Sequence, residues 1–323
     1  MKGLNLKKSP KVAGIKVPSI SLRLPEPVSN PQLDNHLELP NLKNSALLIG
    51  RTLSSLGAVA ILILVQLMLI SPVQNASAQF KATEQIRYQL ANGTAPTGQT
   101  DSYGKLLKAG TPVGILIIKK LGIQQVILEG TSSDITANGP GHRRDTVLPG
   151  QAGISVLYGR QASYGGVFGG ISTLKAGDEI TAITGQGEST YSVSKVRVAG
   201  DVATNNLGDS KGRLTLVTAA GVPFLPSEVI RVEATLTSEA KATPIRTIQH
   251  GAIPASEKAL GSQENALTPL IYLTVLLALI LVLINWLRRK WGKVQSWLVA
   301  VPLVAYFGTM WASFVIQLLP NLI

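Results

Sequence analysis

Apolar residues fall in three long blocks, with short alternating runs between the first and the second. The blocks 52–70, 267–287 and 294–319 contain no Asp, Glu, Lys or Arg. Each is close to the roughly 20 residues that cross about 30 Å of hydrocarbon as a helix. They are therefore read as membrane spans. Pro302 and Gly308 interrupt the last block, which leaves a re-entrant or interfacial helix as its alternative. From 112 to 236 the pattern changes to short β-type runs bounded by Gly, Asp and Pro: 113–118, 125–128, 154–158, 179–183, 191–198, 214–218 and 229–236. That spacing predicts a mainly β barrel or sandwich. Between the first block and the strands, 81–92 reads as a short helix. Thr83 is its cap, Ile86 and Leu90 share a face, and Gly93 stops it. A Gly/Thr/Pro/Ser linker follows at 93–104. The polar stretch 237–264 reads as a second linker.

Charge settles the orientation that hydropathy leaves open. The net charge is +12, yet the central region is nearly balanced. The excess lies before residue 52 (Lys2, Lys7, Lys8, Lys11, Lys16, Arg23, Lys43 and Arg51 against Glu26, Asp34 and Glu38) and in Arg288-Arg289-Lys290 with Lys293. Basic residues flanking spans on one side mark the cytoplasmic face. The excess is a topology signal with some attraction to anionic lipid, and no nucleic-acid partner is expected. Residues 1–44, rich in Pro, Asn, Ser and Lys, read as a disordered cytoplasmic tail. Ala76-Ser77-Ala78 has the small-x-small pattern of a signal-peptidase site. The long tail and apolar run before it favour a retained anchor.

The 323 residues contain no cysteine, which excludes disulfides and thiol chemistry. HExxH, Cys/His and EF-hand spacings are missing, so no metal or cofactor is expected. Asp134, Asp145, Asp178 and Glu179 read as turn and surface residues.

Several segments, in order, resemble the sortase family. They are Leu128-Glu129-Gly130-Thr131-Ser132, then Asn138-Gly139-Pro140-Gly141-His142 with Thr146-Val147-Leu148-Pro149-Gly150-Gln151. Val156-Leu157-Tyr158-Gly159-Arg160-Gln161 follows with Tyr164, Gly165 and Phe168, then Leu174-Lys175-Ala176-Gly177-Asp178, and Thr215-Leu216-Val217-Thr218-Ala219. The type resembled is class E/F-like, as in actinobacterial envelopes. The resemblance implies an eight-stranded β-barrel ectodomain, joined here to three transmembrane helices. The implied organisation is tail 1–44, span 45–72, juxtamembrane helix and linker 73–110, barrel 111–238, extracellular linker 239–266, span 267–287, basic cytoplasmic turn 288–293 and span 294–319.

In active members the resemblance implies a Cys–His–Arg site that cuts a C-terminal sorting signal and transfers the acyl group to an amine. A thiolate attacks, a histidine protonates the leaving amine, and an arginine stabilises the oxyanion. The matching positions here are Ala219, Arg160 and Val229. Arg231, two residues on, shares Val229's face. The expectation is thus a degenerate, non-catalytic domain. Ser155, Ser163 and Tyr164 are substitute nucleophiles without a base beside them, and alternation turns Thr218 away from Ala219. His142 resembles a loop histidine of the family, with packing as its plain role. If a groove persists, Arg160, Tyr164, Thr218, Arg231 and His142 are its candidate ligand-binding residues. A solvated surface arginine is the alternative for Arg160. Gly165-Gly166 and Gly169-Gly170 suggest a pliable loop over the groove, or simple turns.

Three functions follow: a module that captures a peptide or surface-protein tail without cutting it, a structural scaffold for a membrane assembly such as one with an active sortase or pilin machinery, or an enzyme with an unconventional nucleophile. Asn285 and Gln317 are candidates for polar helix–helix contacts, or else lie at the interface.

Overall fold

A computed structural model describes residues 44–101, 103–198 and 211–323. All but the last residue of the expected tail, 1–44, lies outside them. The chain divides into two compact units, Met1–Ser54 and Ser55–Ile323. In the first, the described residues begin helix α1 (Asn44–Val65). The hydroxyls of Thr52 and Ser54 return to the carbonyls of Ile49 and Gly50, as hydroxyls inside helices commonly do.

In the second unit α1 runs through one π-helical turn, Gln66–Ile70, into α2 (Ser71–Ala91). The π turn falls just before Pro72, which cannot donate to the helical ladder. The helix expected at 81–92 is therefore the end of a longer one. Thr83 is not its cap: its hydroxyl donates to the Gln79 carbonyl one turn back at 2.7 Å. Gly93, at φ +65, follows the helix end. Ser71, Asn75, Gln79, Ala82 and Ile86 form the buried stripe of α2, spaced three and four apart as one helix face requires.

The strands are β1 (Pro112–Ile118), β2 (Ile123–Glu129), β3 (Gly141–His142), β4 (Gly153–Tyr158), β5 (Glu179–Thr184), β6 (Gly187–Arg197), β7 (Gly212–Val222) and β8 (Leu225–Leu236). They close into a barrel in the order β1-β2-β3-β4-β7-β8-β6-β5. Each expected run overlaps one of them. β3, only two residues long, gives no periodic signal. A short helix α3 (Ser133–Thr136) precedes it. Leu116, Ile127, Leu157, Phe168, Ile180, Leu214, Leu216 and Val232 are fully buried in the barrel core. Gly159 is required where Phe168 enters that core, since a Cβ there would stand 2.3 Å from the ring.

The stretch 239–266 is not a loose linker. The Lys241 amide donates to the Gly150 carbonyl at 2.8 Å, and Gln99 Oε1 accepts from the amides of Thr247 and Ile248. Glu257, in a 3-10 turn at Ala255–Glu257, is buried. Low hydrophobicity concealed this because the strap is held by backbone groups that need partners.

Helices α4 (Leu267–Trp291) and α5 (Lys293–Gln317) fold back on each other at Gly292, with Arg288, Arg289 and Lys290 in the last turn of α4. Pro302 and Gly308 do not break α5. A Cβ on Gly308 would come within 3.3 Å of Leu62, so the glycine admits a close neighbour from α1. Polar contacts between helices come from Gln66 to Ser313 (2.8 Å) and Trp311 to Thr274 (2.9 Å). Asn285 is exposed and Gln317 half-buried. Among the described residues three helices are long and apolar enough to cross a membrane.

Candidate functional site

β4 and β7 run parallel, with Tyr158 beside Val217. The pairing extends one step further, because the Gly159 amide donates to the Val217 carbonyl at 3.0 Å. On β7, alternation turns Leu214, Leu216 and Thr218 to one face and Val217 and Ala219 to the other. The Thr218 hydroxyl donates to the Gly159 carbonyl at 2.8 Å. Thr218 is therefore part of the wall that holds the end of β4, not a groove residue. Ala219 stands opposite Val229 of β8. Both are buried, in one apolar cluster with Tyr158, Val217 and Leu322.

Arg160 follows directly from the end of β4 and is 1% exposed, which overturns the solvated-arginine alternative. One terminal nitrogen donates to Ser163 Oγ (2.8 Å) and to the Ile323 backbone oxygen (3.0 Å). The other donates to the Ser133 carbonyl and hydroxyl, each at 2.7 Å. Its guanidinium lies 4.9 Å from the centre of the Tyr164 ring. Burial lowers its pKa to about 10, with Tyr164 and Asp134 acting in the other direction, so it remains a cation at neutral pH. Tyr164, at φ +52, is pinned by its amide to Ser71 Oγ of α2 at 3.1 Å. The glycine-rich loop after it is a series of bonded turns, with Gly166 to Ser163, Gly169 to Gly166 and Phe168 to the Arg160 carbonyl.

The other candidates lie elsewhere. Arg231, opposite Val217, lines a hollow of about 170 Å³ with Arg143, Tyr158, Arg197, Arg213 and Glu233. His142 is buried, with Nδ1 2.8 Å from Glu129 and Nε2 2.9 Å from the Val147 carbonyl. Both ring nitrogens are engaged inside the fold, so His142 is not a groove residue. Burial pushes its pKa down, but the Glu129 carboxylate, the Val147 carbonyl and Asp145 together more than offset this, and the net value is raised above 6.5. Asp145 is not a surface residue either: it is buried, 2.7 Å from Arg143 Nε, and accepts from the Gly251 amide.

The structure thus joins Arg160 to Tyr164, and Ala219 to Val229. It makes Ser163 a partner of Arg160 and adds Ser133, Leu322 and Ile323, which sequence reasoning missed. Ser133 and Ile323 lie 27 and 163 residues from Arg160, beyond any local pattern.

Residues 116–228 match the family model described as the sortase domain. These residues form a sortase domain. Over 113 residues the chain is 32% identical to sortase D of Bacillus subtilis (strain 168), a match that covers 34% of this chain and 56% of that protein. The chain thus spans just over half of that relative's length. Among solved structures it is similar to a Clostridium perfringens sortase D5 transpeptidase, at 24% identity and TM-score 0.42, covering 50% of this chain and 99% of that one. It is also similar to sortase E1 from Streptomyces coelicolor, solved with a tripeptide in its active site, at 23% identity and TM-score 0.37, covering 41% and 91%. The sortase domain includes Arg160 and Ala219. The long apolar helices, the strap and residues 318–323 lie outside the matched residues.

Proposed function

We propose that this is a membrane-anchored, non-catalytic sortase-like protein, a pseudo-sortase that serves as a binding or scaffold module in a Gram-positive cell envelope. Its partners on this reading are the lipid membrane and the peptide tails of surface proteins, pilins or an active sortase. The carrying observation is the pair of positions where the resemblance puts nucleophile and acid. Ala219 is a buried methyl opposite Val229. Arg160 is a guanidinium committed to four oxygen contacts. A methyl group cannot attack a carbonyl, and losing the nucleophile removes the covalent route. A pKa of about 10 is poorly matched to proton transfer near neutral pH, a contribution worth about 10²–10⁴ in rate.

The substitute nucleophiles fit poorly. Thr218 is bonded to Gly159 and Ser163 to Ile323. Ser155 Oγ has no hydrogen-bond partner among the described residues. His142 is occupied by Glu129. These commitments disfavour an unconventional hydrolase or transpeptidase.

The positive-inside pattern supports a cytoplasmic N-terminus and 288–293 turn, with the barrel outside. The test is a crosslinked pull-down of the full-length protein from native membranes, run beside a turnover assay. Recovery of surface proteins with C-terminal sorting signals, or of an active sortase, is the expected result. Recovery of unrelated membrane subunits alone would make the barrel a purely structural part. Turnover of a sorting-type peptide by the unaltered chain would overturn the non-catalytic reading.

A further inference from the structure

Residues 318–323 leave the end of a membrane helix, a setting in which chain is usually loosely held. Here Leu318, Leu319 and Pro320 are half-buried, and the next three residues are among the most buried of those described: Asn321 and Leu322 are 0% exposed and Ile323 is 3%. The Asn321 side chain donates to the carbonyls of Thr131 (2.6 Å) and Lys258 (2.9 Å), and its amide donates to Gly261 (2.9 Å). The Leu322 side chain joins Tyr158, Val217, Ala219 and Val229 in one apolar cluster. Its carbonyl accepts from the Gln161 amide at 2.9 Å. The next backbone oxygen, of Ile323, accepts from both Arg160 and Ser163.

A side chain in an apolar hollow, with the backbone oxygens on either side of the next peptide unit held by fixed donors, is how folded domains recognise peptides. We propose that the hollow over Ala219 is a peptide-binding cleft whose resident occupant is the chain's own segment 319–323. If that segment left, Arg160, Ser163 and the Gln161 amide would each lose an acceptor while the faces of Ala219 and Val229 were bared. Unpaired buried donors and bared apolar surface both carry a cost. The vacated cleft would therefore take a peptide with a large aliphatic residue followed by two backbone carbonyls in the same polarity. The small side chain at Ala219 leaves the room that Leu322 fills. This deepens the binding reading above and rests on it.

Ala219→Cys, in a chain that otherwise has no cysteine, converts occupancy into a rate. In the full-length protein in mild detergent, the introduced thiol should react with a maleimide slowly. Adding Leu322→Asp, which puts a charge into the hollow, should speed the reaction at least tenfold. An acetylated Leu-Pro-Asn-Leu-Ile pentapeptide should then slow it again, and the same peptide with Asp as its fourth residue should not. Equal rates in the two variants, or acceleration that the pentapeptide leaves unchanged, would overturn the proposal. Should the charged variant unfold, the milder pair Ala219→Cys and Leu322→Cys keeps the test. A short bis-maleimide should join the two positions within one chain, and failure to join them in folded protein would equally overturn it. Peptide turnover by the unaltered chain would instead retire the non-catalytic reading, a separate assay from these labelling rates.

Discussion

At the scale of single residues, Arg160 and His142 show how burial changes what a side chain does. A guanidinium removed from water needs partners for its donors; the two terminal nitrogens of Arg160 find them in oxygens of Ser133, Ser163 and Ile323, while its Nε is buried without one among the described residues. Arg160→Met keeps much of the length and none of the donors. It should lower unfolding stability in detergent by about 3 kcal/mol, the scale of a lost hydrogen bond to a charged group. Arg160→Lys should recover little, since an ammonium lacks the fork that reaches two sides at once. His142 gives a pH prediction. Burial lowers its folded pKa, but Glu129 with the Val147 carbonyl and Asp145 raises it above 6.5 on balance, so the native state holds the proton more tightly than the unfolded chain. The associated stability is present in full below 6.5 and drains away as pH rises through the folded value. Unfolding midpoints should therefore fall across that window in the native protein, and His142→Gln should flatten the slope. An unchanged slope in the variant would show that another group titrates there.

At the scale of elements, the docking of α2 on the barrel depends on polar groups as much as apolar ones. Gln79 donates to the carbonyls of Val126 (3.1 Å) and Asn138 (2.7 Å) and accepts from the Val126 amide (2.7 Å). Asn75 donates to the Ala137 carbonyl at 2.9 Å. Gln79→Leu should cost about 3 kcal/mol by stranding buried backbone groups, and protease cleavage within α2 should rise. Thr83→Ala, which removes a bond internal to the helix, should stay within about 0.5 kcal/mol. Equal effects would mean that α2 is held by its apolar residues alone. Ala78 and Gln79 both lie inside this helix, where their peptide bond is not extended for a peptidase. The intact mass of protein from membranes should therefore retain the residues before Gln79.

At the scale of the whole molecule, the absence of cysteine makes topology directly measurable. Ile245 on the strap is 97% exposed, and Lys290 lies in the basic last turn of α4. In intact cells a membrane-impermeant maleimide should label Ile245→Cys and spare Lys290→Cys until the membrane is opened. The reverse pattern would invert the orientation. The long apolar helices and most strands could be read in advance because hydropathy over 20 residues, and alternation over five, are local properties of the chain. β3 could not, since two residues hold no period, and neither could the strap at 239–266, whose contacts are made by backbone. The order of residues alone was enough to read the three apolar helices, most barrel strands and the absence of any cysteine. Only the tertiary structure decided that Arg160 is buried, that Thr218 faces inward and His142 is paired with Glu129, and that Leu322 covers Ala219. Those outcomes depend on barrel closure and on contacts between residues from 13 to 163 positions apart, which no local pattern of side chains encodes.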